Sequence, residues 1–88
     1  MIKRKDGFIT RKIGSQIMAV PVGKRTNELH GMIALSESGE LLWNALENGA
    51  EKDELKQILL DNYEVDGETA QKDVEEFLDM LKTQGVLL

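Results

Sequence analysis

The stretch that decides the fold is residues 31–49, GMIALSESGELLWNALENG. It opens as a short uncharged run, Met32-Ile33-Ala34-Leu35, and turns at Ser36-Glu37-Ser38-Gly39. It then continues as an amphipathic helix carrying Leu42, Trp43 and Leu46. Upstream the pattern is that of strands, and downstream it is that of helices. The stretch is therefore the corner joining a sheet to a helical layer, and its strand is where a partner is expected to dock.

Upstream, residues 8–13 and 16–22 are both rich in β-formers and are separated by Gly14-Ser15. A two-residue loop with glycine first predicts an antiparallel hairpin closed by a II′ turn. In that register Arg11 faces Met18 and Ile9 faces Val20, so Ile9, Ile13, Met18 and Val20 share a face. Pro21 lacks the ladder donor, so pairing is expected to fail or bulge near it. Residues 23–30, GKRTNELH, read as a polar loop, and residues 31–35 as the third strand. Residues 1–7 are charged and expected to be flexible.

Downstream, Ser36 suits the N-cap of a first helix. Gly39 in its first turn costs roughly 0.5–1 kcal/mol relative to alanine, and the expected return is a close approach of helix and sheet. Asn48-Gly49 is the expected stop. A second helix spans about 51–62, with Leu55, Ile58 and Leu59 inward and Glu51, Asp53 and Glu54 in the first turn, where negative charge suits the helix dipole. Asp66 caps a third helix over about 68–84. Its stripe is Ala70, Val74, Phe77, Leu78 and Leu81, with Met80 off one flank. Gly85 ends it, and Val86-Leu87-Leu88 should tuck back onto the core. The expected class is α+β: a three-stranded antiparallel sheet followed by three helices, winged-helix-turn-helix-like in its parts, as one domain over 1–88.

Composition excludes several functions. Eighty-eight residues build one small core with no room for a large cofactor. Cysteine is absent, which removes disulfides, thiolate nucleophiles and Cys-ligated zinc. No apolar run approaches the ~20 residues of a membrane span, and none resembles a signal-peptide core; a soluble cytoplasmic protein with no membrane partner is the expectation. His30 is the lone histidine, no nucleophile elbow or phosphate loop is present, and EF-hand spacing is missing. No catalytic residue, metal or cofactor is expected.

The net charge of −5 is split. Residues 1–25 hold seven Lys/Arg against Asp6, a balance of +6; residues 26–88 hold four against fifteen acidic residues, a balance of −11. The third helix exposes Glu68, Asp73, Glu75, Glu76 and Asp79 against Lys72 and Lys82, the wrong sign for reading DNA. A winged-helix DNA-binding or transcription-linked module is thus the disfavoured alternative. The strand edges differ as well. The first strand carries Arg11 and Lys12, charges that guard an edge against pairing, whereas residues 32–35 carry none. An unguarded edge is covered internally, pairs with a second copy (a weak homodimer in place of a monomer), or accepts a guest strand.

Several segments resemble the PqqD-like family, the small chaperones of pyrroloquinoline quinone biosynthesis and their relatives, also called RiPP recognition elements. They are Phe8-Ile9-Thr10-Arg11, Val20-Pro21-Val22-Gly23, Gly31 through Leu35-Ser36-Glu37-Ser38-Gly39 with Leu42-Trp43, Ala70 through Asp73-Val74 to Phe77-Leu78, and Gly85-Val86-Leu87. Glu51 departs from the pattern, since many relatives place Thr or Ser before the second helix. The resemblance implies a compact winged-helix-like fold without catalysis. It implies capture of the leader of a ribosomally made precursor peptide as a strand against residues 31–35, beside the third helix. The leader is then presented to a maturation enzyme, often a radical SAM protein. Carried over, Gly31, Met32, Ile33, Ala34 and Leu35 supply main-chain hydrogen bonds, which are largely sequence-blind. Selectivity then falls to the third-helix flank: Phe77 and Met80 as apolar contacts, Asp73 or Glu76 as polar ones, and Gln84 beyond them. Phe77 is equally readable as plain core, and Met80 is the adaptable contact.

Overall fold

The computed structural model describes residues 1–23 and 32–88; Gly31, His30 and most of the polar loop lie outside the described residues. The elements are β1 (Phe8–Ile13), β2 (Gln16–Pro21), β3 (Ile33–Leu35), α1 (Glu37–Ala45), α2 (Lys52–Asn62) and α3 (Gly67–Gln84). The sheet is antiparallel, in the order β1-β2-β3. The expected α+β class, with three strands and then three helices, is what forms.

The β1–β2 turn follows the reading. Gly14 has φ +63° and, among the described residues, no non-glycine residue has positive φ, the signature of a II′ rather than a I′ turn. Arg11 pairs with Met18 and Ile9 with Val20, as expected. The face they share is the outer one: Ile9 is 38% and Ile13 53% exposed. The buried face is the opposite set, Ile17, Ala19, Ile33 and Leu35, with Pro21 also buried.

Pro21 corrects the expectation of a bulge. It pairs in register with Phe8, and beyond it the Val22 N–H donates to the Gly7 carbonyl at 2.9 Å. Bonded and non-bonded pairs alternate along an antiparallel ladder. Phe8–Pro21 is therefore a non-bonded pair on the β1 side. The place of the missing N–H faces the β3 side, past the last β2–β3 pair, Ala19–Ile33. Among the described residues no ladder bond is lost there.

The helices begin at their caps. Ser36 Oγ accepts from the Gly39 N–H at 3.0 Å, and Asp66 Oδ1 accepts from the Thr69 N–H at 2.7 Å. The latter bond holds the Asp66 carboxyl below its ordinary range. Glu51 serves as the α2 cap, its own N–H donating to Glu54 Oε1 at 3.1 Å. Gly85, at φ +75°, closes α3. The first helix stops at Ala45, short of the expected Asn48. The Leu46 carbonyl is instead taken by the Arg4 N–H at 3.0 Å and the Gly49 N–H at 3.3 Å, which diverts the chain from continuing the helix.

That diversion ties down residues 1–7, for which composition predicted a flexible segment. Ile2 and Ala50 exchange both backbone bonds at 2.8 Å, Arg4 bridges to Leu87, and the Lys5 N–H donates to the Val86 carbonyl at 2.8 Å. The tail returns as expected at Val86, which is fully buried, while Leu88 stays exposed. The core joins the inner sheet face to Leu42, Trp43, Leu46, Ala50, Leu55, Leu59, Ala70, Val74, Leu78, Leu81 and Val86. No helix among the described residues is long and apolar enough to cross a membrane.

Arg4 is the unforeseen member of this packing. It is 7% exposed; its Nε donates to the Trp43 carbonyl at 3.1 Å and its Nη1 to the Lys5 carbonyl at 3.2 Å. Its guanidinium lies 4.6 Å from the Trp43 ring centroid, a cation–π geometry. Phe8 meets the same ring edge-on, at 5.2 Å and 90°. Burial pushes the Arg4 pKa down, against the pull of Glu47 and Asp6, and the group stays charged. Arg4→Met keeps the stem and removes the donors, so it is expected to cost about 1–3 kcal/mol in urea unfolding. Arg11→Met on exposed β1 should stay within about 0.5 kcal/mol.

Candidate functional site

Three residues make the edge. β3 is Ile33–Leu35, shorter than the expected residues 31–35, with exposed Met32 just outside it. The alternation set by Val22 and Gly7 continues across the sheet. Ala19–Ile33 and Ile17–Leu35 are then the bonded pairs, and Met18–Ala34 is not. Ile33 and Leu35 spend their backbone groups on β2 and bury their side chains. Ala34 turns its N–H and C=O the other way, toward the free side of the sheet. Among the described residues no strand pairs there.

A groove opens where β3 ends. Two adjoining cavities, of about 340 and 360 Å³, share Ser36, Ser38 and Asp73. The first adds Gly39, Leu42, Glu76 and Phe77, and the second Glu37, Tyr63 and Val65. One wall is thus the first turn of α1, directly after β3, and the other is α3. Gly39 sets the gap. A Cβ there would stand 3.4 Å from Phe77 Cε1 and 3.2 Å from Ser36 Oγ, with Leu35 Cβ farther off at 3.8 Å. The close approach that glycine permits is therefore to Phe77 of α3 before the sheet.

The structure brings Asp73, Glu76 and Phe77 together in this groove. Asp73 and Glu76 are exposed, and Phe77 is half-buried, packed on the core and lining the first cavity. Met80 is half-buried against the core and Gln84 is exposed; neither lines these cavities. Ser38, Tyr63 and Val65 were not foreseen. Ser36 was read only as a cap, although its Oγ also lies 3.1 Å from that of Ser38. A second serine two residues after a cap was the available signal. Among the described residues no three His, Cys, Asp or Glu side chains gather as a metal site.

A sheet edge unpaired among the described residues, beside a groove walled by α3, is the geometry that strand addition requires. The chain belongs to the family of coenzyme PQQ synthesis protein D (PqqD), whose model matches residues 21–87. No curated protein matches it. A solved structure described as TbiB1 in complex with the TbiA(beta) leader peptide shares the fold, with a TM-score of 0.73 and 22% identity. The match covers 97% of this chain and 93% of that one.

Gly39→Val should overpack the gap against Phe77 and the cap, costing about 1–3 kcal/mol by chemical denaturation. The Phe77 ring resonances are expected to move with it, and unchanged ring shifts would contradict the packing described.

Proposed function

We propose that this chain is a non-catalytic module that binds the leader of a ribosomally made precursor peptide and presents it to a maturation enzyme. The observation that carries the reading is the outward-facing backbone of Ala34 on an uncharged edge, unpaired among the described residues, beside a groove walled by α3. Membership of the PqqD family supports it, and so does the shared fold with a protein solved bound to a leader peptide.

The leader adds as a fourth strand, antiparallel or parallel, accepting from the Ala34 N–H and donating to its carbonyl. Its inward side chains share the face of Ile33 and Leu35 and meet the α3 flank at Asp73, Glu76, Phe77, Met80 and Gln84. Gly31 and Met32 extend the contact upstream. On this reading the carboxylates and hydroxyls of the groove bind the guest, and the chemistry belongs to the partner. A radical SAM enzyme fits that role, with any cofactor on its side of the complex. The five carboxylates of α3 set against two lysines repel a phosphate backbone, which tells against the DNA-binding alternative.

The test uses a synthetic leader from a precursor gene adjoining this one. Ala34→Pro removes the outward N–H without breaking a bond to β2 and should weaken binding about tenfold or more. Ile33→Val, a change in the buried side chain, should leave affinity within about twofold. Equal affinity for Ala34→Pro and the unaltered protein, with the fold retained, would refute strand addition. Concentration-dependent sedimentation lost on adding peptide would show the edge shared with a second copy.

A further inference from the structure

Resting on strand addition at β3, the geometry points to a side-chain requirement in the guest: the groove past Leu35 is a pocket for a lysine or arginine of the bound strand. Ser36 follows the last β3 residue, so a strand laid along Ala34 runs into the groove at one end. Side chains alternate between faces, and the one nearest Leu35 on the inner face enters it.

The charge of the walls then selects the occupant. Glu37, Asp73 and Glu76 line the two cavities, and among the described residues no Lys or Arg does. Among the described residues none of these three carboxylates has an ion pair or a side-chain hydrogen bond. An acidic guest side chain would meet three like charges. The competing pull of the α1 N-terminus is already used: the Gly39 N–H is held by Ser36 Oγ, and Glu37 and Glu40 sit in the first turn.

Two further features separate an organic cation from a metal ion. The carboxylates do not converge into a metal-binding group, whereas a guanidinium or ammonium with several donors can reach spaced partners. Half-buried Phe77 is part of the lining. An aromatic face accepts the alkyl stem of Lys or Arg and favours a cation above it. Ser36 and Ser38 add hydroxyl acceptors at the rim. The pocket thus matches a long cationic side chain in both its apolar and its charged parts.

The experiment selects binders to the full chain from a displayed library of random twelve-residue peptides. Selected peptides should carry one Lys or Arg at a fixed place in an alternating apolar pattern. Replacing that residue by norleucine in the synthetic peptide should weaken binding at least tenfold. Asp73→Lys with Glu76→Lys should abolish binding of the cationic peptide and restore it for the Lys→Glu peptide. Both positions are exposed, so the fold should tolerate the change, and Asp73→Asn with Glu76→Gln gives an intermediate loss. Peptides that shift the Ala34 amide yet carry an apolar or acidic residue at that place would overturn the pocket while leaving strand addition intact. Peptides that bind without perturbing Ala34 would overturn both.

Discussion

The constraint on which this molecule depends is the alternation of Ile33, Ala34 and Leu35. A strand can turn each residue's backbone groups to only one side of the sheet. With Ile33 and Leu35 committed to β2, Ala34 must face away from it. The same alternation places the two branched side chains in the core and leaves Ala34 outside. Three residues thus anchor the strand and offer its edge. A register slip of one residue would bury Ala34 and expose both branched side chains, so core packing itself fixes which amide is offered.

What keeps so short a strand in place is the corner that follows it. Leu42, Trp43 and Leu46 are almost fully buried. Around Trp43 gather the Phe8 ring from β1 and the Arg4 guanidinium from the N-terminal segment. Through Arg4 and Ile2 that segment also reaches Leu46, Ala50 and the tail at Leu87. The corner is therefore held from the sheet, from α1 and from both ends of the described chain. Gly39 lets Phe77 close onto the first turn of α1, and the groove lies beside that contact. The interactions that position the edge and those that shape the groove meet within a few residues of Ser36.

Much of this was legible in the sequence, and the reasons for the rest are physical. The hairpin register followed from Gly14-Ser15, because a two-residue turn leaves one pairing. The helices followed from apolar spacing and from caps at Ser36 and Asp66. Which hairpin face is buried did not follow. The outer set of Ile9, Ile13, Met18 and Val20 is as apolar as the inner set, so periodicity could not choose. Pro21 was misjudged because its cost depends on whether a neighbouring strand reaches it, which is tertiary information. Arg4 looked like one more charge in a basic run; only the fold shows it over Trp43. Of the groove's lining, Asp73, Glu76 and Phe77 were named from the third helix and its resemblance to PqqD-like sequences. Tyr63 and Val65 were not, because they precede α3 in a connector whose path no local signal sets.

The central claim is that the backbone of Ala34 is the docking surface, and amide hydrogen exchange reads it directly. In the free protein the Ile33 and Leu35 amides should be protected by β2 and the Ala34 amide should exchange fast. Saturating leader peptide should slow Ala34 by an order of magnitude or more and leave Ile33 and Leu35 little changed. An Ala34 amide that exchanges equally fast with and without bound peptide would contradict the account.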